Sequence, residues 1–214
     1  MKVNEKDWST TTKRIARLET IIFQYRSIFS HAVPEGQQYW TMAGQCAQAD
    51  GRPLIGCEPW QMVELGLITA DQFYGVEIER EIYDLNVRAY PTLTWHHDDF
   101  YRAMVKADVA GYFRPAIVNA DLIHTPETSI GFISRILAHL TDVGGDIMLV
   151  ANLVLHARFY KTKYGNDVVR KLNEDSRFVR AFNDGEWSMH TAYYPYVSSG
   201  SRTRMGSLIF ARTA

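Results

Sequence analysis

The sequence is poor in cysteine, which limits the chemistry that sulfur can support. It has two cysteines in 214 residues, Cys46 and Cys57, and they do not form a CxxC pair. This scarcity argues against a cysteine-based zinc site and is consistent with a reducing compartment. Because the two residues flank one predicted loop, the sequence leaves open a disulfide or redox switch between them as an alternative to two unpaired thiols.

Long apolar runs are also missing. No stretch reaches the length of a membrane span, and the N-terminal MKVNEKDWSTTTK lacks the apolar region of a signal peptide. We therefore expect a cytoplasmic protein that has no membrane partner. The content of 46% hydrophobic and 22% charged residues is ordinary for a globular chain, and the length suits one domain with a full core.

Charge is unevenly distributed along a chain whose net charge is −1. Residues 31–150 hold seven Lys/Arg against sixteen Asp/Glu, whereas residues 151–214 hold ten against five. The acidic middle does not suit a cleft for a polyanion, although the basic outer segments could contact phosphate backbones. The alternative is that these basic residues form solvated helix faces.

The apolar pattern predicts an N-terminal helix followed by alternating strands and helices. Apolar residues at spacings of three and four predict an amphipathic helix from about Trp8 to Phe29. We expect this helix and a linker in residues 1–36, and one α/β domain in residues 37–214. The predicted strands of that domain cover 37–44, 72–78, 93–100, 115–123 and 146–155, and the predicted helices cover 58–68, 80–90, 100–109 and 128–143.

The end of the chain departs from this alternation. Residues 156–185 have a mostly helical pattern, and two strands at 189–199 and 204–212 follow, joined by a turn at Gly200. The sequence therefore predicts a three-layer, Rossmann-like α/β fold with seven strands, mostly parallel, that ends in an antiparallel hairpin. We expect strand one to be central, the hairpin to lie at one edge, and the apolar strand 146–155 to be central among parallel strands.

The stretch QFYGVEIERE, residues 72–81, combines a predicted buried strand with an acidic end. Glu77 falls where a parallel strand would leave its sheet, and Gly75 leaves room for a close neighbour. A carboxylate at this position can accept hydrogen bonds from both hydroxyls of a ribose. The alternative is a solvated acid in the first turn of a helix, where Asp and Glu are also favoured.

Three motifs in this order resemble the class I S-adenosylmethionine-dependent methyltransferases, over roughly residues 37–212. GVEIE at 75–79 is similar to the second motif of that family, and HHDDF at 96–100 is similar to the third. LTDVGGDIMLV at 140–150 resembles the turn into strand five. The resemblance implies S-adenosylmethionine as the cofactor and transfer of its methyl group as the reaction.

The resemblance also implies roles for individual residues. Glu77 would bind the ribose hydroxyls, and Asp99, with Asp98 beside it, would meet the adenine amine. The complete set of cofactor-binding residues that it implies is Ala43, Gly44, Glu77, Ile78, Asp98, Asp99, Phe100 and Asn119.

Two motifs of that family are incomplete. The turn after strand one would be glycine-rich, of the GxGxG type, but AGQCAQADGRPLIG spaces its glycines widely. We expect residues 45–56 to form a mobile flap with few apolar anchors over the cofactor site. NADLIH at the end of strand four lacks the Asp/Asn-Pro-Pro-aromatic sequence of amino-directed DNA methyltransferases, and the CysPro nucleophile of cytosine-C5 enzymes is missing too.

Catalysis of methyl transfer requires mainly alignment of a nucleophile, and sometimes removal of a proton. Asn119 and Asp121, expected to project from the end of strand four, are the candidates for positioning the substrate. Asp121 could instead cap the following helix. His124 is a further candidate base.

Two other constellations are less specific. His96, His97, Asp98 and Asp99 are adjacent on an extended segment and point to opposite sides, so we expect no metal site. YYPY at 193–196, with Arg202 and Arg204, could stack bases and bind phosphate, or could simply pack a terminal sheet.

Two function hypotheses remain. The first is an active methyltransferase of unknown acceptor, with nucleic acid among the candidates and oligomerisation left open. The second is a catalytically inactive methyltransferase fold that serves binding or assembly, which the broken glycine motif favours. A nicotinamide-dependent oxidoreductase is weaker, because GxGxxG is missing and the terminal hairpin fits that class less well.

Overall fold

The secondary structure follows the predicted alternation. A computed structural model describes residues 15, 17–122, 126–155, 164–197 and 204–213. The strands are β1 (Gln38–Met42), β2 (Phe73–Glu77), β3 (Thr94–His97), β4 (Pro115–Leu122), β5 (Ile147–Leu155), β6 (Ser188–Val197) and β7 (Arg204–Arg212). The α-helices are α1 (Gln24–Phe29), α2 (Glu58–Glu64), α3 (Arg80–Ala89), α4 (Phe100–Val109), α5 (Pro126–Val143), α6 (Tyr164–Glu174) and α7 (Ser176–Asp184).

All seven strands belong to one sheet, in the order β3-β2-β1-β4-β5-β7-β6. β1 pairs in parallel with β2, and β2 with β3, whereas β7 runs antiparallel to both β5 and β6. The predicted Rossmann-like sheet with a C-terminal antiparallel pair at one edge is confirmed. Strand one lies inside the sheet as expected, although β4 occupies the middle position.

The chain divides into two compact units, Met1–Ile117 and Val118–Ala214. The predicted boundary at residue 36 stays a prediction, and the N-terminal segment is part of the first unit. Arg17 forms an ion pair with Glu58 of α2 at 3.7 Å, and it also donates a hydrogen bond to Gln61 at 3.2 Å.

The first unit buries both faces of β1. Tyr39 and Trp40 are neighbours and therefore point to opposite faces of the strand, yet neither is accessible to solvent. Trp40 stacks on Tyr74 of β2 with ring centroids 5.0 Å apart, and on His96 of β3 with centroids 5.2 Å apart. This aromatic packing joins the three parallel strands on one face.

Gly75 is required by the packing of the neighbouring strand. It pairs with Trp95 of β3, and a Cβ atom at this position would clash with the six-membered ring of that tryptophan. The close neighbour expected from the sequence is therefore a side chain of the same sheet.

The N-terminal helix differs in part from its prediction. Leu18–Phe23 is a π-helix that continues into α1, which ends at Phe29 as expected, while residues before 15 lie outside the described part of the chain. Ile21, Ile22 and Tyr25 of the predicted stripe are buried, but Ile15 is 53% exposed. The wider turns of a π-helix rotate the stripe, so the 3.6-residue spacing does not hold along its whole length.

In the second unit, α5 packs an apolar face and β5 is buried on both faces. Ile133, Ile136 and Leu140 of α5 are fully buried, as are the successive residues Met148 and Leu149 of β5. The prediction that β5 lies among parallel strands is wrong, because its partner β7 is antiparallel. A continuous apolar strand indicates burial on both faces, which an antiparallel neighbour permits equally.

The helical segment after β5 breaks into two helices. Asp175 lies between α6 and α7, and its side chain accepts hydrogen bonds from the backbone N–H groups of Arg177 and Phe178, each at 3.0 Å. Residues 156–163 of the predicted helix lie outside the described residues, as do the turn at Gly200 and Arg202.

The described residues include neither a candidate membrane span nor a candidate metal cluster. No helix among them is both long and apolar enough to cross a membrane. No group of three or more His, Cys, Asp or Glu side chains in the same part of the chain is placed to bind a metal ion.

Candidate cofactor site

The carboxyl ends of β1, β2 and β3 meet at one edge of the first unit. Met42 pairs with Val76, and Glu77 pairs with His97, so the residues that follow these strands emerge side by side. This edge is where open α/β sheets bind their ligands. It brings together three groups of predicted site residues: Ala43 and Gly44; Glu77 and Ile78; Asp98, Asp99 and Phe100.

Glu77 is the half-buried acid of this edge. One carboxylate oxygen accepts a hydrogen bond from the backbone N–H of Glu79 at 2.8 Å, and Glu79 is the N-cap of α3. Burial raises the pKa of Glu77, although backbone hydrogen bonds from Glu79 and Ile78 oppose the rise. Glu77 therefore stabilises the turn that leads into α3, which agrees in part with the alternative prediction of an acid at the start of a helix. Its carboxylate nevertheless remains at the end of β2.

Ile78 is unusual for an apolar residue in this position. Its side chain is 66% exposed, next to the half-buried Glu77. Its carbonyl oxygen lies 3.1 Å from His97 Nε2, and the His97 ring packs against Tyr83 of α3. The edge thus presents an apolar surface directly beside a carboxylate.

Asp98 is engaged in ion pairs. Its side chain is 8% exposed, and its two oxygens accept hydrogen bonds from Arg102 Nε and from Lys106 Nζ, the latter at 2.6 Å. Burial acts to raise the pKa of Asp98, but the hydrogen bonds from Lys106 and Arg102 outweigh it and lower the pKa to about 2. Asp98 is therefore an anchor for α4.

Asp99 and Phe100 also have structural roles. Asp99 is the N-cap of α4, because its side chain accepts a hydrogen bond from the Arg102 N–H at 3.1 Å. Its own N–H donates to Asp98 at 2.8 Å. Phe100 is buried in the core, at 3% exposure. Sequence alone did not reveal these contacts, because an acid after a strand fits a helix cap and a ligand contact equally.

The turn after β1 is folded into the protein. Ala43 is buried, and Gly44 adopts a left-handed conformation with φ of +58°, which glycine tolerates without strain. Asn86 of α3 binds this turn on both sides of Gln45, donating to the Gly44 carbonyl at 2.7 Å and accepting from the Cys46 N–H at 2.8 Å.

The predicted flap has more anchors than the sequence suggested. Gln45, Cys46 and Ala47 are buried at its start, and Gly56 is buried at its end. An isolated antiparallel bridge between Ala47 and Pro53 closes the segment into a hairpin-like loop. The expectation of few anchors is wrong for the ends of the segment, whereas mobility of its middle stays a prediction.

Both cysteines are free and buried. The Cys57 sulfur lies 3.0 Å from the Tyr90 hydroxyl, and Cys46 Sγ donates to the Ala43 carbonyl at 3.3 Å. Burial raises the pKa of the Cys46 thiol. Two unpaired thiols, one of the two alternatives from the sequence, are what the structure contains.

A buried carboxylate joins α2 to β1 in the first unit. Glu58, at the start of α2, accepts hydrogen bonds from the hydroxyls of Tyr39 and Thr41, the second at 2.6 Å. Burial raises the pKa of Tyr39, and the nearby charge of Glu58 raises it further. This network could not be predicted from the sequence, because an acid such as Glu58 is common in the first turn of a helix.

The candidate catalytic residues lie on β4, in the second unit. Asn119 is 3% exposed and accepts a hydrogen bond from Asn152 of β5 at 2.9 Å, and Ser207 of β7 donates to Asn152 at 2.6 Å. Asn119 is thus held inside the sheet, three residues before the strand ends, whereas Asp121 is half-buried near the strand end. His124 lies outside the described residues.

Asn152 and Ser207 were missed at the sequence level. The available signal was a polar residue inside each of two strongly apolar strands, DIMLVANLVL and RMGSLIFAR. Such residues need a partner when buried, and here the side chains partner one another and Asn119.

Comparison with known proteins gives fold similarity without sequence similarity. No family model matches this chain, and no curated protein matches it. The solved structure of TrmN from Thermus thermophilus is 9% identical, with a TM-score of 0.49, and the match covers 89% of this chain and 47% of that one. This chain therefore spans about half the length of the Thermus protein.

Two other structures match over most of their length. The N-methyltransferase NodS from Bradyrhizobium japonicum WM9 is 7% identical, with a TM-score of 0.48, over 95% of this chain and 97% of that one. Magnesium protoporphyrin IX methyltransferase (ChlM) from Synechocystis PCC 6803, solved with bound SAH, is 11% identical, with a TM-score of 0.46, over 94% and 84%. At these identities the likeness concerns the fold alone.

Proposed function

We propose that this chain binds S-adenosylmethionine at the carboxyl edge of β1, β2 and β3 and catalyses transfer of its methyl group to an acceptor. The observation that carries the proposal is that two different side chains lie next to each other at the end of β2: the half-buried carboxylate of Glu77 and the exposed apolar side chain of Ile78. The left-handed Gly44 lies in the turn that follows the neighbouring strand β1, on the same edge.

Each of these features fits one part of the cofactor. A carboxylate can accept hydrogen bonds from both ribose hydroxyls, and these charge-assisted bonds are stronger than neutral ones. The exposed side chain of Ile78 offers an apolar surface for the adenine ring. Gly44 has no Cβ atom, so the backbone at the end of β1 can approach the ligand closely.

The adenine amine is assigned to Asp99 in this proposal. Asp98 fits that role poorly, because Arg102 and Lys106 already occupy its two oxygens. Asp99 uses its side chain to cap α4, but it is exposed at the same edge as Glu77 and can direct a carboxylate oxygen to an amine.

The protein's part in the reaction is mainly alignment. The bound cofactor supplies a methyl group already activated by its sulfonium. Asp121 would position the acceptor, and its half-buried carboxylate would remove a proton where the acceptor carries one. Asn119 does not fit the same role, because it is 3% exposed and its side chain is held by Asn152. The acceptor is unassigned, and the excess of Lys/Arg in residues 151–214 keeps nucleic acid among the candidates.

Calorimetric titration with S-adenosylmethionine and its demethylated product tests the proposal. Glu77→Ala should weaken binding by about 2 to 3 kcal/mol, or about 30- to 150-fold, because it removes both ribose hydrogen bonds. The matched control is Glu79→Ala, which removes an acid two residues further along the chain, where the side chain caps nothing. This control should bind within about threefold of the wild type.

A second candidate function is binding or assembly without catalysis. It is favoured by the structural use of Asp98 and by the absence of a glycine-rich turn after β1. If the wild type binds neither molecule at millimolar concentration, the methyltransferase proposal fails and this second candidate replaces it.

A further inference from the structure

The turn after β1 lacks the closely spaced glycines that would let its backbone adopt the required conformation. Closely spaced glycines would let backbone approach a ligand, but residues 45–47 carry side chains. All three residues are buried, with Gln45 at 3%, Cys46 at 1% and Ala47 at 0% exposure, which leaves Gly44 as the half-exposed residue of the turn. A specific contact has to hold the turn in this position.

Asn86 provides that contact from α3. The residue is completely buried, and it uses both functional atoms of its amide on one turn. Nδ2 donates to the Gly44 carbonyl at 2.7 Å, and Oδ1 accepts from the Cys46 N–H at 2.8 Å. Only a side chain with a donor and an acceptor can form both bonds, so leucine or an ionised aspartate cannot replace it.

These two bonds fix the orientation of a peptide unit at the candidate cofactor site. The peptide between Gly44 and Gln45 is planar and trans, since no peptide bond in the described part of the chain is cis. With the Gly44 carbonyl held toward Asn86, the N–H of Gln45 is directed to the opposite side. The conformation of Gly44 is thus set by a side chain 42 positions away in the sequence.

The same helix also holds the other parts of the site. α3 begins after its N-cap Glu79, whose N–H binds the Glu77 carboxylate at 2.8 Å. At the other end of α3, the C-cap Tyr90 places its hydroxyl 3.0 Å from Cys57 Sγ, at the far end of the loop. One helix therefore fixes the carboxylate and both ends of the loop.

We infer that Asn86 is a positioning residue for the cofactor. Its amide holds the turn after β1 in the conformation that a glycine-rich sequence would otherwise allow. The inference rests on the proposed function. It predicts that cofactor affinity depends on the hydrogen-bonding pattern of residue 86, although residue 86 itself is buried beneath the turn.

Asn86→Asp tests this inference, because it keeps the shape and the acceptor of the side chain. An ionised carboxylate cannot donate to the Gly44 carbonyl and repels it, whereas a protonated carboxyl can donate. At pH 8 the variant should bind the demethylated cofactor at least tenfold more weakly than the wild type. At pH 5 much of the loss should be regained, because burial favours the protonated carboxyl.

The wild type measured at both pH values corrects for titration elsewhere in the site. The matched control is Asn183→Asp, the same chemical change at an exposed position of α7, and it should leave affinity unchanged at both pH values. A purely structural role for Asn86 would lower the melting temperature without producing a pH-dependent recovery of affinity.

The outcomes separate the inference from the proposed function. If the wild type does not bind, the proposed function fails. If the wild type binds and Asn86→Asp binds equally well at pH 8, the inference is wrong. Should the variant not fold, hydrogen exchange of the free wild type decides: the Cys46 amide should exchange at least a hundredfold more slowly than an unprotected amide, and unprotected exchange overturns the inference.

Discussion

Gly75 shows how a single hydrogen atom in place of a side chain shapes the first unit. The Trp95 ring lies where a Cβ of residue 75 would be, so Gly75→Ala should destabilise the protein by about 1 to 3 kcal/mol through overpacking. Gly131→Ala is the matched control, since its Cβ in α5 would come no closer than 3.6 Å to Arg177 Nη2. That control should stabilise by about 0.5 to 1 kcal/mol, as expected for alanine in a helix. Denaturant unfolding measures both, and equal effects would show that the ring does not occupy this space.

Asp98 makes stability depend on pH in the acid range. Its pKa is lowered from 3.8 to about 2 in the folded protein, so the folded state favours the ionised form. This contribution is fully present above about pH 5 and is lost as the pH falls through the folded pKa near 2. After allowance for the exposed Arg102 and Lys106, it amounts to about 1 to 2 kcal/mol.

Asp98→Asn should therefore be less stable than the wild type at pH 7, and the difference should shrink by about 1 to 2 kcal/mol as the pH falls toward 2. The matched control is Asp84→Asn, which breaks an exposed pair with Arg80 at 3.1 Å. Urea unfolding at several pH values measures the effect. A constant difference between wild type and Asp98→Asn would contradict the ion-pair assignment.

At the scale of elements, Asp175 decides where one helix stops and the next begins. It caps α7 through two backbone N–H groups, so Asp175→Ala should destabilise the protein by about 0.5 to 2 kcal/mol. Asp184→Ala, at the other end of α7, removes only an exposed pair with Arg180 and should change stability by less than about 0.5 kcal/mol. Thermal unfolding of the two variants compares them, and a loss at Asp184 as large as that at Asp175 would argue against the cap.

The elements themselves were largely predictable, because apolar spacing determines which residues are buried. The helix α4 begins and ends where its pattern indicates, and β7 spans the predicted residues 204–212. The break at Asp175 was missed, since charged residues of one long helix and of two short helices produce similar patterns. The π-helical turns before α1 were missed because an added residue per turn leaves no signature in composition.

The site was less predictable than the elements. The positions of Glu77, Ile78 and Gly44 near strand ends could be predicted from the sequence, and their roles in binding stay a prediction. Asn86 and Glu58 form their contacts with residues that are 17 to 42 positions away in the sequence. A single sequence contains no information on which buried amide meets which backbone group. Those pairings depend on tertiary packing, which the periodicity of the chain does not encode.

At the scale of the whole molecule, the order of strands in the sheet differs from their order in the chain. β6 precedes β7 in sequence, yet β7 lies between β5 and β6. Among the strands that the structure describes, β6 pairs only with β7, through a register that shifts twice, at Met189/Thr191 and at Thr191/Tyr194. The predicted hairpin at the sheet edge is therefore correct, and its inner strand is the later one.

This insertion has a consequence for synthesis on the ribosome. β5 emerges with nine residues of continuous ladder, from Ile147 to Leu155, but the strand that satisfies that ladder ends at Arg212. Until some 57 further residues have been translated, one side of an apolar strand exposes unpaired N–H and C=O groups. Nascent chains stalled in this interval should recruit chaperones or self-associate, and their propensity to do so should fall once β7 is released from the exit tunnel.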